Sequence, residues 1–443
     1  MRRILPSVVA ATMLTLVYAE APASAAAPLA GPSPASAATG AAPAAAAAAA
    51  PRKRRTPFAF TGAGFGTKVD GADIPASSQK TGFSIYNCTN VSGRNFQNYL
   101  AEAELPGAGV LAGADTRLYT RQKGKGRNKT YSSISTNKIA QIKLAEIPGL
   151  GSLAINGITS RSRAFWRAGE YNATNSSNIG SIRLTGPGGI GQNFPLPTPN
   201  QPVTVPGVAT ISLGKPVRKV SKKGALAFST ALKIDIIPTG TKVLVSNARA
   251  RIDGGIQRGV FSGTSAGLKA RALDDNLRIG RTPARVMPCG STNGALQTSN
   301  LVDVDLAGQI VVEAAQASQK SRQNNASASG FEQGKIARVA IGGDALVINA
   351  IKGRAFVKRT AKKLVRKADA QVGTITAGGE VQELPDTGVL EIPGVATLER
   401  GVTKRVFNGI EVVGLRITLL DGTGAVVDLG LARLRIAPGK MYR

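Results

Sequence analysis

The sequence predicts an all-β fold, with two homologous β-sandwich or meander-type domains in tandem, and three observations carry that prediction. The first is a duplication. Phe60, Gly62, Gly66, Lys68, Cys88, Gly93, Leu100 and Leu105 recur as Phe261, Gly263, Gly267, Lys269, Cys289, Gly294, Leu301 and Leu306, every pair 201 positions apart. Lys138-Ile139-Ala140 then matches Lys335-Ile336-Ala337, Ala164-Phe165 matches Ala355-Phe356, and Ala248-Arg249-Ala250-Arg251-Ile252 matches Ala432-Arg433-Leu434-Arg435-Ile436. Elements are kept while the loops between them shorten, as in two copies of one fold. The second is a punctuation of apolar-Pro-Gly turns at Leu105-Pro106-Gly107, Ile147-Pro148-Gly149, Val205-Pro206-Gly207 and Ile392-Pro393-Gly394. Alternating runs such as Ile139-Ala140-Gln141-Ile142-Lys143-Leu144 flank them, so one strand face enters a core at each turn of a hairpin. The third is composition: 52 Gly and 24 Pro make many turns, and with only 5% aromatics the cores must be Val, Ile, Leu and Ala.

Taken in order, residues 1–25 read as a secretory signal. Arg2 and Arg3 supply charge, Ile4 to Val17 are mostly apolar, and Ala23-Ser24-Ala25 is an A-x-A cleavage site. No later stretch has the ~18 uninterrupted apolar residues needed to span a bilayer. Residues 26–56 form an Ala/Pro-rich linker that cannot bury a core and ends in the basic run Arg52-Lys53-Arg54-Arg55. Domain one is expected over 57–257, domain two over 258–436, and a tail over 437–443. Within domain two, cations four apart from Lys358 to Lys367 are compatible with a short helix, whereas the corresponding Tyr171 to Asn178 reads as a polar loop.

The formal net charge is +30 and the chain has no histidine. The first 56 residues hold six of the cations and one acid, which leaves +25 on the remainder. Runs lie at Lys123, Lys125, Arg127 and Lys129, at Lys222 and Lys223, and at Lys358, Arg359, Lys362, Lys363, Arg366 and Lys367. These are the candidate polyanion contacts, since such a field attracts polyanions and weakens with salt. Export argues against nucleic acid as the partner, as does the lack of aromatics interleaved with the runs. The expected partners are anionic cell-wall polymers or acidic glycans.

Phe58-Ala59-Phe60-Thr61-Gly62-Ala63-Gly64-Phe65-Gly66-Thr67-Lys68-Val69, then Cys88-Thr89, then alternating runs broken by Pro-Gly or Gly-Gly, resembles the choice-of-anchor P proteins. Those are exported proteins of high-GC Gram-positive bacteria. The resemblance covers Phe58 to about Arg167 and, more weakly, Phe261 to Phe356. It implies a secreted or cell-surface location and no particular activity. The sequence runs out at Ile436-Ala437-Pro438-Gly439-Lys440-Met441-Tyr442-Arg443, so covalent anchoring, which varies from member to member of that family, is not expected from these residues.

Several motifs dissolve when one copy is used as the control for the other. Gly263-Thr264-Ser265-Ala266-Gly267 matches a nucleophile elbow, but no histidine exists to act as base and the first copy has Gly64 in place of the serine. Gly186-Pro187-Gly188-Gly189-Ile190-Gly191 fits a dinucleotide fingerprint, yet Pro195, Pro197 and Pro199 forbid the helix that must follow. Leu384-Pro385-Asp386-Thr387-Gly388 has the letters of a sorting signal but lies far from the chain end and is followed by Glu391, Glu399, Asp421 and Asp428. Glu102 and Glu104 recur as Asp303 and Asp305, each pair on one strand face with Cα atoms about 7 Å apart. Solvated strand faces are the ordinary reading; paired acids of a glycan-active enzyme are the alternative. Cys88 and Cys289, one per copy, can join the two domains, join two chains, or remain free thiols. Composition excludes metal chemistry through His or Cys, and no cofactor is expected. The function expected is that of a non-enzymatic secreted or envelope-associated protein that binds polyanions through its basic surface.

Overall fold

The structure is a computed structural model that describes residues 53–70, 80–105, 108–144, 151–272, 277–306, 310–385, 388–420, 422 and 424–439. The expected signal, the linker up to Arg52, Asp386-Thr387 and the tail from Lys440 lie outside the described residues. Among the described residues there are strands, turns and one short 3-10 turn at Gly126–Asn128. No helix among them is long and apolar enough to cross a membrane.

The first copy opens with β1 (Arg54–Asp70), β2 (Ser84–Ser92), β3 (Asn95–Leu105), β4 (Gly109–Lys123) and β5 (Thr130–Leu144). It continues with β6 (Ser152–Arg167), β7 (Glu170–Asn178), β8 (Ser181–Thr185), β9 (Gly191–Phe194) and β10 (Val203–Val205). It closes with β11 (Ala209–Leu213), β12 (Val217–Ser221), β13 (Gly224–Ile236) and β14 (Lys242–Asp253). The second copy repeats the plan in β15 (Gly259–Ala272), β16 (Leu277–Val286), β17 (Gln297–Leu306), β18 (Ile310–Gln323) and β19 (Ser327–Ile341). Then come β20 (Leu346–Thr360), β21 (Leu364–Gln371), β22 (Ile375–Ala377) and β23 (Glu380–Gln382). The last four are β24 (Val389–Ile392), β25 (Ala396–Val406), β26 (Gly409–Leu419) and β27 (Val426–Pro438).

Each copy makes two antiparallel sheets. In the first, one sheet runs β10-β11-β13-β14-β1-β2 with β12 on β13, and the other β3-β4-β5-β6-β8-β9 with β7 on β6. In the second, β16-β15-β27-β26-β25-β24 faces β17-β18-β19-β20-β22-β23, with β21 on β20. Among the described residues no sheet mixes strands from both copies. First and last strands of each copy lie side by side, β1 on β14 and β15 on β27, so each sandwich is closed by its own ends.

Local chemistry explains the elements. At Val205-Pro206-Gly207 and Ile392-Pro393-Gly394 the glycine sits at φ 71°, and the next amide bonds the carbonyl before the proline, at 3.0 Å in both turns. Gly186 to Ile190 is the turn between β8 and β9, with no helix after it. Ser265 lies in mid-strand, fully buried, and its hydroxyl donates to the Ser318 carbonyl. Three expectations need correction. Arg54 and Arg55 belong to β1, paired with Ser92 and Val91, and are not part of the linker. Tyr171 to Asn178 is strand β7, paired along β6. Lys358 to Lys367 forms the β20–β21 hairpin and not a helix, because pairing such as Lys358 with Val365 and Phe356 with Lys367 satisfies the backbone across the sheet.

Both sandwiches have an apolar core in two clusters, separated by a narrow waist. In the first copy the waist is polar. Ser133 and Ser135 donate to Thr61 and Ala63 carbonyls at 2.8 Å, and Ser162 donates to the Ala248 carbonyl at 2.9 Å. In the second copy the backbones themselves touch. A Cβ on Gly334 would lie 2.0 Å from the Ala266 carbonyl oxygen, and one on Gly353 would lie 1.9 Å from that of Gly430, so only glycine fits.

The copies are joined by a disulfide between Cys88 and Cys289, with Cα atoms 5.3 Å apart. These are equivalent positions in the repeat, so around this bond the copies meet as an isologous pair, like residues against like. Ala59 and its equivalent Val260 pack there together with Ile256.

Candidate basic faces

Alternation along β6 points Ser162 and Ala164 into the sandwich and Arg161, Arg163, Phe165 and Arg167 out of it. From β4, Arg117, Tyr119 and Arg121 reach the same outer face, beside Thr136, Ile134 and Ser132 of β5. The long side chains lie down on the middle strand, so Ile134 is only 3% exposed although it points outward. The Arg163 guanidinium stacks 4.3 Å from the Phe165 ring centroid. Its pKa is pushed below the usual arginine range, by burial first and then by Arg161. Among the described residues the acid paired on this face is Asp115, held by Arg117 at 2.8 Å.

The second copy has the same face. Lys352, Arg354, Phe356 and Lys358 of β20 replace Arg161, Arg163, Phe165 and Arg167, and Arg322 replaces Arg121. Arg354 stacks 4.2 Å from the ring of Phe331, while Lys352 pairs with Asp369 at 2.8 Å. By the control of one copy against the other, this cation–aromatic face belongs to the repeat unit itself.

The cations expected from sequence runs occupy hairpin tips. Lys123, Lys125, Arg127 and Lys129 surround the β4–β5 turn, with Lys129 half-buried and 5.8 Å from the Tyr131 ring. Lys222 and Lys223 cap β12–β13, and Lys358, Lys362, Lys363, Arg366 and Lys367 surround β20–β21, all exposed. Arg359 departs from the expectation. It is buried and donates to the Ile436 carbonyl at 2.6 Å and to Asn408 at 2.8 Å, because its place in β20 points inward. The paired acids Glu102 and Glu104 are exposed on β3, an edge strand, and Asp303 and Asp305 are exposed on the equivalent edge β17. Asp303 stands opposite Glu313, which Arg338 binds at 2.6 Å.

Reading cations as runs reaches Lys358 of the outer faces but not Arg161, Arg163, Lys352 or Arg354, which lie outside the runs. The period-2 spacing Arg161-x-Arg163-x-Phe165-x-Arg167 was the available signal. On these faces, unlike in the runs, aromatic rings stand among the cations. The chain matches no family model, no curated protein and no solved structure.

Proposed function

We propose that this is a non-enzymatic, exported, envelope-associated protein that binds anionic polymers, wall polymers of teichoic type or acidic glycans, through its basic outer sheet faces. The observation that carries the reading is the recurrence of one cation-rich, aromatic-backed face in both copies. Two such faces on one chain give two-point attachment to a polymer, so avidity exceeds that of either face. The signal-like N-terminus and the resemblance to exported surface proteins favour a partner outside the cell, where phosphate- and carboxylate-bearing polymers are the abundant polyanions.

The test passes purified chain over immobilised teichoic-type polymer at two salt concentrations. Retention is expected at about 0.05 M salt and elution well below 1 M, where the Debye length has shrunk to about 3 Å. Combining Arg161→Ala and Arg163→Ala with Lys352→Ala and Arg354→Ala should abolish most retention. Retention that ignores both salt and these substitutions ends the proposal. A single-stranded oligonucleotide held more tightly than the wall polymer redirects it to nucleic acid.

A further inference from the structure

The junction between the copies gathers a different set of cations. Alternation in Ala248-Arg249-Ala250-Arg251-Ile252 buries Ala248, Ala250 and Ile252 and turns Arg249 and Arg251 outward. Ala432, Leu434 and Ile436 are buried in the same way, with Arg433 and Arg435 turned out. Because the Cys88–Cys289 bond ties equivalent points, the two arginine pairs line one cleft beside the disulfide, with Arg281 of β16. Its volume is about 320 Å³.

Carboxylates do not balance this set. Asp253 takes Arg251 at 2.7 Å, and Glu411 lies 3.8 Å from Arg433 and 3.9 Å from Arg281. Arg249 has no carboxylate partner among the described residues. Arg435 donates its Nε to the Phe407 carbonyl at 2.9 Å, and its charged neighbours are Arg433 and Arg94. Burial first, then those like charges, push its pKa below the ordinary arginine range. Arg435 also borders a second hollow of about 490 Å³, lined as well by Cys88, Arg55 and Arg94. Five guanidiniums facing two carboxylates in a concave site leave a place for an oxyanion to relieve the repulsion.

We propose that this cleft binds the phosphate group of a phosphate-bearing ligand, held between Arg249 of one copy and Arg433 and Arg435 of the other. Tetrahedral oxyanions with up to two charges suit guanidinium forks from two directions, each able to make two parallel bonds. The volume is at the lower end of the range for organic ligands, roughly 300–1,000 Å³, so a phosphorylated sugar or a short phosphodiester segment fits better than a bare ion. The site needs both copies, which a face repeated on each copy does not. It shares no residue with the outer faces, so either reading can fail alone.

Titration calorimetry of the whole chain with tripolyphosphate, and with citrate as a carboxylate of similar charge, tests this. The expected result is saturable tripolyphosphate binding, with citrate weaker by roughly tenfold or more. Arg249→Ala and Arg433→Ala should each weaken tripolyphosphate by at least roughly tenfold, and Arg249→Lys should recover part of the loss. Among the described residues Arg249 makes no ion pair, so its variant should unfold at the wild-type temperature, which separates lost binding from lost folding. Combined Arg161→Ala and Arg163→Ala should change tripolyphosphate affinity by less than about twofold. Absence of saturable binding, equal affinity for citrate, or indifference to Arg249→Ala and Arg433→Ala each overturns the proposal. Equal loss in the outer-face variant does so too, by reducing the effect to net charge.

Discussion

Breaking the Cys88–Cys289 bond should destabilise the two copies unequally, and the first copy more. A cross-link acts mainly by closing a loop in the unfolded chain, by an amount that grows with the logarithm of loop length. Among the described residues no sheet crosses between copies, so unfolding one sandwich breaks no strand pairing of the other. When the first copy unfolds alone, the loop runs from Cys88 to the start of β15, roughly 170 residues, which corresponds to about 5 kcal/mol. When the second unfolds alone, the loop runs only from the end of β14 to Cys289, roughly 36 residues, or about 4 kcal/mol. For domains of this size each kcal/mol moves the midpoint by about 2–4 °C, so the first copy should fall by about 10–20 °C and by a few degrees more than the second. The chain has a single tryptophan, Trp166, packed 5.2 Å from Phe58 and 5.9 Å from Tyr131 in the first copy. Its fluorescence therefore follows the first copy alone, while far-ultraviolet circular dichroism follows both. Reduced wild type and the Cys88→Ala, Cys289→Ala double variant should agree. If the Trp166 transition stays where it was, or the second copy loses more, the loop-closure reasoning is refuted.

Glu332 is fully buried in the second copy, and burial raises its pKa well above the usual carboxylate range, offset only in part by the nearby Ser265 hydroxyl. The folded state therefore prefers the protonated form: the stability from this group is complete below the unfolded pKa of about 4.3 and is lost as pH rises through the folded value. Glu332→Gln should flatten that dependence and add about 1–3 kcal/mol at pH 8, read in the circular dichroism transition that Trp166 does not report. A variant that tracks wild type across pH 4 to 9 contradicts the assignment. Arg359→Ala should cost the second copy about 1.5–3 kcal/mol through its lost bonds to Ile436 and Asn408 while leaving polymer retention unchanged. Lys362→Ala with Lys363→Ala should do the reverse, and matching effects in the two variants would erase the distinction between buried and exposed members of that run.

Fold class, duplication and hairpin grammar were legible in the sequence because they are local. Pro-Gly turns fix their own dihedrals, and alternation along one strand reports its buried face directly. Lys358 to Lys367 folds as a hairpin although its cation spacing suits a helix, because spacing along the chain does not register that Phe356 pairs with Lys367 across a turn. The basic faces were hidden for a related reason. Arg121 and Arg163 are 42 positions apart in the chain, and the pairing of β4 and β6 with β5 between them is what makes them neighbours. The repeated Ala-Arg-x-Arg-Ile segments were visible, but that both would line one cleft followed only from the disulfide between equivalent cysteines.

A bond between equivalent residues is one that a single copy could make with a second molecule of itself. A one-copy forerunner with the sandwich and cysteine of either half would carry the contact surface of a covalent homodimer, with Arg249 and Arg433, and likewise Arg251 and Arg435, arising from one codon. Joining the two copies in one polypeptide makes that encounter intramolecular, and it also frees the halves from obeying one sequence. The halves have used that freedom: Trp166 stands where the second copy has Val357, and the serine ties of one waist stand where the other brings glycine backbones together. Such a chain can refine one side of a symmetric cleft without altering the other, which no true homodimer can do.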